Sequence, residues 1–161
     1  MHEDFLFELN DFFGRAAAGT YAGSGPRVAS ERAGFQELVF EDGDWSYRDS
    51  YTGFIRSRGQ EIIRYRGDPV WAQSYGGGMD GRFARDPDLS DRNMAFLKTA
   101  LSSGDKRTRF QPRGPRELVQ GDWRYAAEWS GDIAEFRGTE EIHHQGELVF
   151  THEFIGGLIE P

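Results

Sequence analysis

The run Gly43-Asp44-Trp45-Ser46-Tyr47-Arg48-Asp49-Ser50-Tyr51-Thr52-Gly53 is nearly repeated as Gly121-Asp122-Trp123-Arg124-Tyr125-Ala126-Ala127-Glu128-Trp129-Ser130-Gly131. After a one-residue insertion the correspondence continues in order, with Gly59 on Gly138, Glu61 on Glu140, Ile63 on Ile142, Gly67 on Gly146, Trp71 on Phe150 and Tyr75 on Phe154. Upstream, Glu37-Leu38-Val39 matches Glu117-Leu118-Val119. Self-similarity in fixed order marks a repeated supersecondary unit. It restricts the chain to folds that can be written as two related halves of one domain, about 1–79 and 90–161, joined by a linker over 80–90.

Each half reads as a helix followed by strands. Phe5, Leu9, Phe12, Phe13 and Ala16 recur at helical spacing and predict a helix over about 3–17. Met94, Leu97 and Leu101 do the same for a helix over 91–102, with Ser90 as its cap. Trp45, Tyr47, Asp49 and Tyr51 alternate with polar residues, so three rings and one carboxylate share a strand face. Arg66-Gly67 and Gln145-Gly146 separate β-like runs and predict two-residue primed turns, because glycine accepts positive φ at low cost. Such a turn would pair Ile63 with Val70, Glu61 with Ala72, and Ile62 with Trp71. The fold class expected is α+β: an internal duplication of a helix-plus-antiparallel-strands unit, with two helices packed on a largely antiparallel sheet.

Charge and composition then narrow the function. The 27 acidic residues outnumber 19 basic ones, and a net charge of −8 without a long basic run disfavours direct nucleic-acid binding. With no Cys there is no disulfide, no thiolate metal site and no cysteine nucleophile. No segment approaches the ~20 apolar residues of a membrane span, and the start Met1-His2-Glu3-Asp4 lacks the basic opening of a secretory signal. A cytoplasmic protein without a membrane partner is expected. His143, His144 and His152 raise a metal site, but His143 and His144 are adjacent on a strand and so point to opposite faces, and no HExxH spacing is present, which argues against a shared metal. Gly76-Gly77-Gly78 is not followed by the Lys-Ser or Lys-Thr of a phosphate loop. No cofactor is indicated.

Thr20-Tyr21-Ala22-Gly23, the run Gly43–Gly53, Gly59-Gln60-Glu61, the segment Gly67–Gly78, Gly114–Leu118 and Phe154–Ile159 together resemble a family of small uncharacterised bacterial and archaeal proteins. Members of that family are stand-alone domains or follow a helix-turn-helix of the XRE regulator type. The resemblance covers almost the whole chain and brings no established activity. What it implies is a sensor-like domain; with both halves accounted for, regulation by this chain is expected to work through a partner or not at all.

Asp49 is the sharpest candidate site residue. A buried carboxylate needs hydrogen bonds or a cation, and its counterpart Ala127 says that the strand unit does not require one there. It reads either as a ligand contact or as a structural bridge to Tyr21 or an arginine. Glu61 and Glu140 are kept in both halves, which suits a structural role; a catalytic pair would need them within about 5–10 Å. Trp71, Tyr75 and Tyr21 could wall a pocket, with Arg48 and Arg64 at its edge, or could be core rings and solvated arginines. The expected function is a small-molecule-binding, sensor-like module with a polar and aromatic cleft in the first half, built from Tyr21, Arg48, Asp49, Tyr51, Glu61, Trp71 and Tyr75. The alternative is a protein-interaction or homodimerisation module. A third reading, an enzyme using Asp49 or the Glu61/Glu140 pair, lacks a nucleophile, base and orienting group in the sequence.

Overall fold

The period-two segments become strands and the amphipathic ones helices, in a computed structural model that describes residues 2–20 and 27–161. The elements are α1 (His2–Thr20), β1 (Arg27–Val28), β2 (Gln36–Asp42), β3 (Trp45–Thr52), β4 (Arg56–Tyr65), β5 (Asp68–Met79), α2 (Pro87–Leu101), β6 (Glu117–Gln120), β7 (Trp123–Asp132), β8 (Glu135–His144) and β9 (Glu147–Leu158). The nine strands form one antiparallel sheet in the order β1-β2-β3-β4-β5-β9-β8-β7-β6. The two halves meet where β5 pairs with β9, with Tyr75 opposite Phe154 and Trp71 opposite Leu158. From that seam each half runs outward through hairpins, so the sheet is continuous across both.

Both helices lie on one face. Leu9, Phe12, Phe13 and Ala16 of α1 pack on Tyr47, Ile63 and Trp71, while Leu89, Phe96, Leu97 and Leu101 of α2 pack on Tyr125, Ile142 and Phe150. The opposite face is open to solvent and carries residues such as Arg58, Ser74 and Glu153, as an antiparallel sheet covered on one side should. No helix among the described residues is long and apolar enough to cross a membrane.

The turns form as their sequences predict: Arg66 and Gly67 have φ of 53° and 91°, and Gln145 and Gly146 have 52° and 81°. The register beyond them does not. A bulge between Ile63 and Arg64 shifts the pairing, so Ile63 faces Trp71, Ile62 faces Ala72 and Glu61 faces Gln73. The same irregularity recurs between Ile142 and His143. A one-residue slip exchanges the faces of a strand, and here it places Trp71, Gln73 and Tyr75 under the helices alongside Glu61 and Ile63.

α2 also begins one turn earlier than the apolar spacing indicates. Asp86 is the N-cap, its carboxylate accepting from Leu89 N at 3.0 Å, and Pro87 occupies the first helical position, where its missing N–H costs nothing. Ser90 instead lies inside the helix, its hydroxyl donating to Asp86 O at 2.9 Å. The segment after α2 returns beneath the sheet, and Gln111, Pro112, Arg113 and Gly114 are buried.

Candidate functional site

The centre of the helix-covered face is polar. Asp49, Glu61 and Glu140 are each 0–1% exposed, and Gln73, Arg113 and His152 lie with them at 1–3%. Burying ionised groups is costly unless each is bonded or paired, and the partners are present. Tyr75 Oη donates to Asp49 Oδ1 at 2.8 Å, and Tyr47 Oη donates to Glu61 Oε1 at 2.5 Å. Gln73 Nε2 donates to the other oxygen of Glu61 and to Pro112 O at 2.9 Å. Arg113 donates through Nε and Nη2 to Glu140 Oε1 at 3.0 and 2.8 Å, and Tyr125 Oη donates to Glu140 Oε2 at 2.6 Å. His152 joins Nδ1 to Glu140 Oε1 at 3.0 Å and Nε2 to Ser57 Oγ at 3.1 Å.

These contacts set the protonation states. Burial opposes ionisation of Glu140, but Arg113 and His152 outweigh it and hold the carboxyl at about 2. Burial pushes the His152 imidazole below its ordinary value against the pull of Glu140, so the ring is neutral at pH 7. Burial, with Asp49 adding to it, raises the Tyr75 phenol well above the usual range and keeps it a donor. Lys106 stands beside this cluster, its ammonium 5.8 Å from the Phe13 ring. Burial takes it down to about 8 although Glu61 and Glu140 attract its charge.

A cavity of about 440 Å³ opens against one side of the cluster, between strands β2–β5 and the α2 helix of the other half. Its polar wall carries Asp49, Ser57, Tyr75, Arg113 and His152; its apolar wall carries Leu38, Phe54, Met94, Leu97 and Leu101. The Tyr75 ring reaches Asp49 by lying across Gly59, where a Cβ would come within 2.2 Å of the ring. The Arg113 guanidinium carbon also lies over that ring, 4.3 Å from the centroid.

The other half supplies a comparison for this cavity. Register places Ala127 opposite Glu140, Phe136 opposite Gly156, Gly138 opposite both Trp129 and Phe154, and Glu140 opposite His152. The same places in the first half hold Asp49 opposite Glu61, Ser57 opposite Gly77, Gly59 opposite both Tyr51 and Tyr75, and Glu61 opposite Gln73. In the second half Phe136 and Phe154 are core rings, Phe136 stacking on Trp71 at 5.8 Å and meeting Phe110 edge-on at 4.9 Å. Where the second half has Phe136, Phe154 and Trp129, the first has Ser57, Tyr75 and Tyr51, and there the space is a cavity instead of a ring cluster.

The residues singled out in the sequence are thus divided. Asp49, Tyr51 and Tyr75 line the cavity. Glu61 belongs to the polar cluster but is held by Tyr47 and Gln73, outside the lining. Trp71 is fully buried between Phe13 and Phe136 and donates from Nε1 to Ile133 O at 2.9 Å, a core residue. Arg48 points to the opposite face, bonded to Glu37 and 3.2 Å from Glu31. Tyr21 lies outside the described residues. Ser57 and Arg113 are not among the residues singled out, and His152 is raised only as a metal-ligand candidate; a residue-by-residue comparison of the two halves, Ser57 against Phe136 and Gln73 against His152, carries the signal for two of the three.

The fold and site define an α+β domain whose helix-covered sheet encloses a buried polar cluster and an adjoining half-polar cavity. The chain belongs to the family described as Domain of unknown function (DUF5680), whose model matches residues 49–159. No curated protein and no solved structure matches it.

Proposed function

We propose that this domain is a small-molecule-binding, sensor-like module and that the cavity under α2 is its site. The observation that carries the reading is the buried Asp49, held by Tyr75 at a cavity wall, where the equivalent register position of the other half is filled by Ala127. A fold that completes this place with alanine and aromatic rings in one half, and leaves a carboxylate and open space in the other, gives up packing there; ligand binding is the use that explains it. The volume lies within the roughly 300–1,000 Å³ of small-ligand sites. With leucines and methionine on one wall and Asp49, Arg113 and Ser57 on the other, the ligand class is an amphipathic molecule with an apolar body and a hydrogen-bonding end.

The matched order, registers and bulges of the two halves support descent by duplication of one unit, with the first half later diverging at the cavity. Trp45 and Tyr47, which a docking patch would need on an outer surface, pack inward: Trp45 on Phe12 at 5.5 Å and Tyr47 in the core. The pocket reading is therefore preferred to the interaction module.

Thermal-shift titration with medium-chain carboxylic acids, alcohols and amines tests it. Stabilisation of the wild type by one of these classes, lost in Asp49→Ala and in Ser57→Phe, is the expected result. Equal stabilisation of both variants would show that the compounds bind elsewhere.

A further inference from the structure

Three groups on the cavity side of the cluster form a chain that hydrogen bonding alone does not require. Ser57 Oγ lies 3.1 Å from His152 Nε2, and His152 Nδ1 lies 3.0 Å from Glu140 Oε1. Ser57 and His152 both line the cavity, so the serine end of the chain faces the space a ligand would occupy. We propose that Ser57, His152 and Glu140 act as nucleophile, general base and orienting carboxylate in hydrolysis of a carboxylic ester with an apolar portion. The proposal rests on the cavity being a ligand site.

The geometry assigns the tautomer. An ionised Glu140 accepts from His152 Nδ1–H, which leaves the Nε2 lone pair toward Ser57, the arrangement a serine nucleophile needs. Glu140 is fixed in turn by Arg113 and by Tyr125. The first half shows what a structural version of the pair looks like: Glu61 is bonded there by Gln73, an amide that cannot take up a proton. A glutamine would satisfy the buried carboxylate equally well at position 152; the imidazole adds a proton acceptor, and it adds it where Ser57 replaces the phenylalanine of the other half.

In the first step Ser57 Oγ bonds to the ester carbonyl carbon while its proton passes to His152 Nε2. Arg113, on the same wall, supplies positive charge toward the oxyanion. The bond from carbon to the alcohol oxygen then breaks, and His152 returns the proton to the departing alcohol. Water, giving a proton to Nε2, attacks the acyl-serine; collapse of that intermediate releases the carboxylic acid and restores the serine hydroxyl. The aliphatic wall of Met94, Leu97 and Leu101 favours an apolar acyl chain over a charged one.

The test uses p-nitrophenyl butyrate and octanoate as substrates and a fluorophosphonate as a covalent probe, on wild type, Ser57→Ala and His152→Gln. Wild type is expected to release p-nitrophenol roughly 10²–10⁴-fold faster than either variant, and intact mass with peptide mapping is expected to place one phosphonyl group on Ser57. Release by the wild type no faster than by Ser57→Ala, or a phosphonyl group on another residue, overturns the proposal. Octanoate binding, followed by thermal shift on the wild type, separates the two levels: binding without turnover refutes the hydrolysis alone, whereas absence of both refutes the cavity as a ligand site too.

Discussion

Replacing Lys106 by methionine should make the protein more stable. Its ammonium is buried 5.8 Å from the Phe13 ring centroid, attracted by Glu61 and Glu140 and repelled by Arg113. Burial lowers it from 10.5 to about 8; at about 1.4 kcal/mol per unit, the protonated side chain costs about 3 kcal/mol of stability at pH 7. Because the folded value lies below the unfolded one, the unfolded chain holds the extra proton between pH 8 and 10.5, so stability rises with pH across that window. Urea unfolding of wild type and Lys106→Met at pH 7 and pH 9.5 measures the effect. The variant should be more stable by about 3 kcal/mol at pH 7, and the gap should shrink to about 1.5 kcal/mol at pH 9.5. A gap that is the same at both pH values, or a variant less stable at pH 7, would mean that attraction to Glu61 and Glu140 outweighs burial, and the reasoning would fail.

Glu140→Gln leaves Arg113 buried without its carboxylate and should cost about 3–5 kcal/mol in a urea titration. His152 is lowered in the folded protein, so the unfolded chain takes up its proton first and stability declines as pH falls through about 6.5; His152→Gln should flatten that decline, read from melting temperatures between pH 7.5 and 5. Gly77, at a φ of 146°, would bring a Cβ within 2.0 Å of Thr151 O, so Gly77→Ala should destabilise by more than about 3 kcal/mol. Gly67→Ala, at a φ of 91° with nothing within 4 Å, should cost only about 1–2 kcal/mol in the same assay.

The two helices and both primed turns were legible because their signals are local: apolar spacing for α1, and Arg66-Gly67 and Gln145-Gly146 for the hairpins. The pairing of Ile63 with Trp71 was not, since a bulge leaves the strand composition unchanged while moving every partner by one. The start of α2 was set by Asp86-Pro87, a capping signal outside the apolar pattern. Asp49 could be picked out because alternation along its strand places it with the inward rings and because the other half has Ala127 there; Tyr75 stands out only as the phenol whose counterpart is Phe154, and the bulge is what turns it inward. The rest of the cavity could not: Met94 and Leu97, Arg113 and His152 reach it from a helix, a connecting segment and a strand far along the chain. Their convergence depends on β5 pairing with β9, which no local pattern specifies. Arg48 was misplaced for a simpler reason, since its own strand alternation already put it opposite Asp49 on the outer face.

That central pairing also governs how the molecule can be made. On the side away from β4, residues 71–79 find their hydrogen-bonding mates in 150–158, so during synthesis that edge of β5 stays bare until residues 150–158 have emerged. Contacts of such long sequence separation slow folding, and an uncovered strand edge invites union with a neighbouring chain. A nascent molecule stalled before residue 150 should therefore depend on chaperones, and truncation within β9 should yield aggregates in place of a trimmed but functional domain.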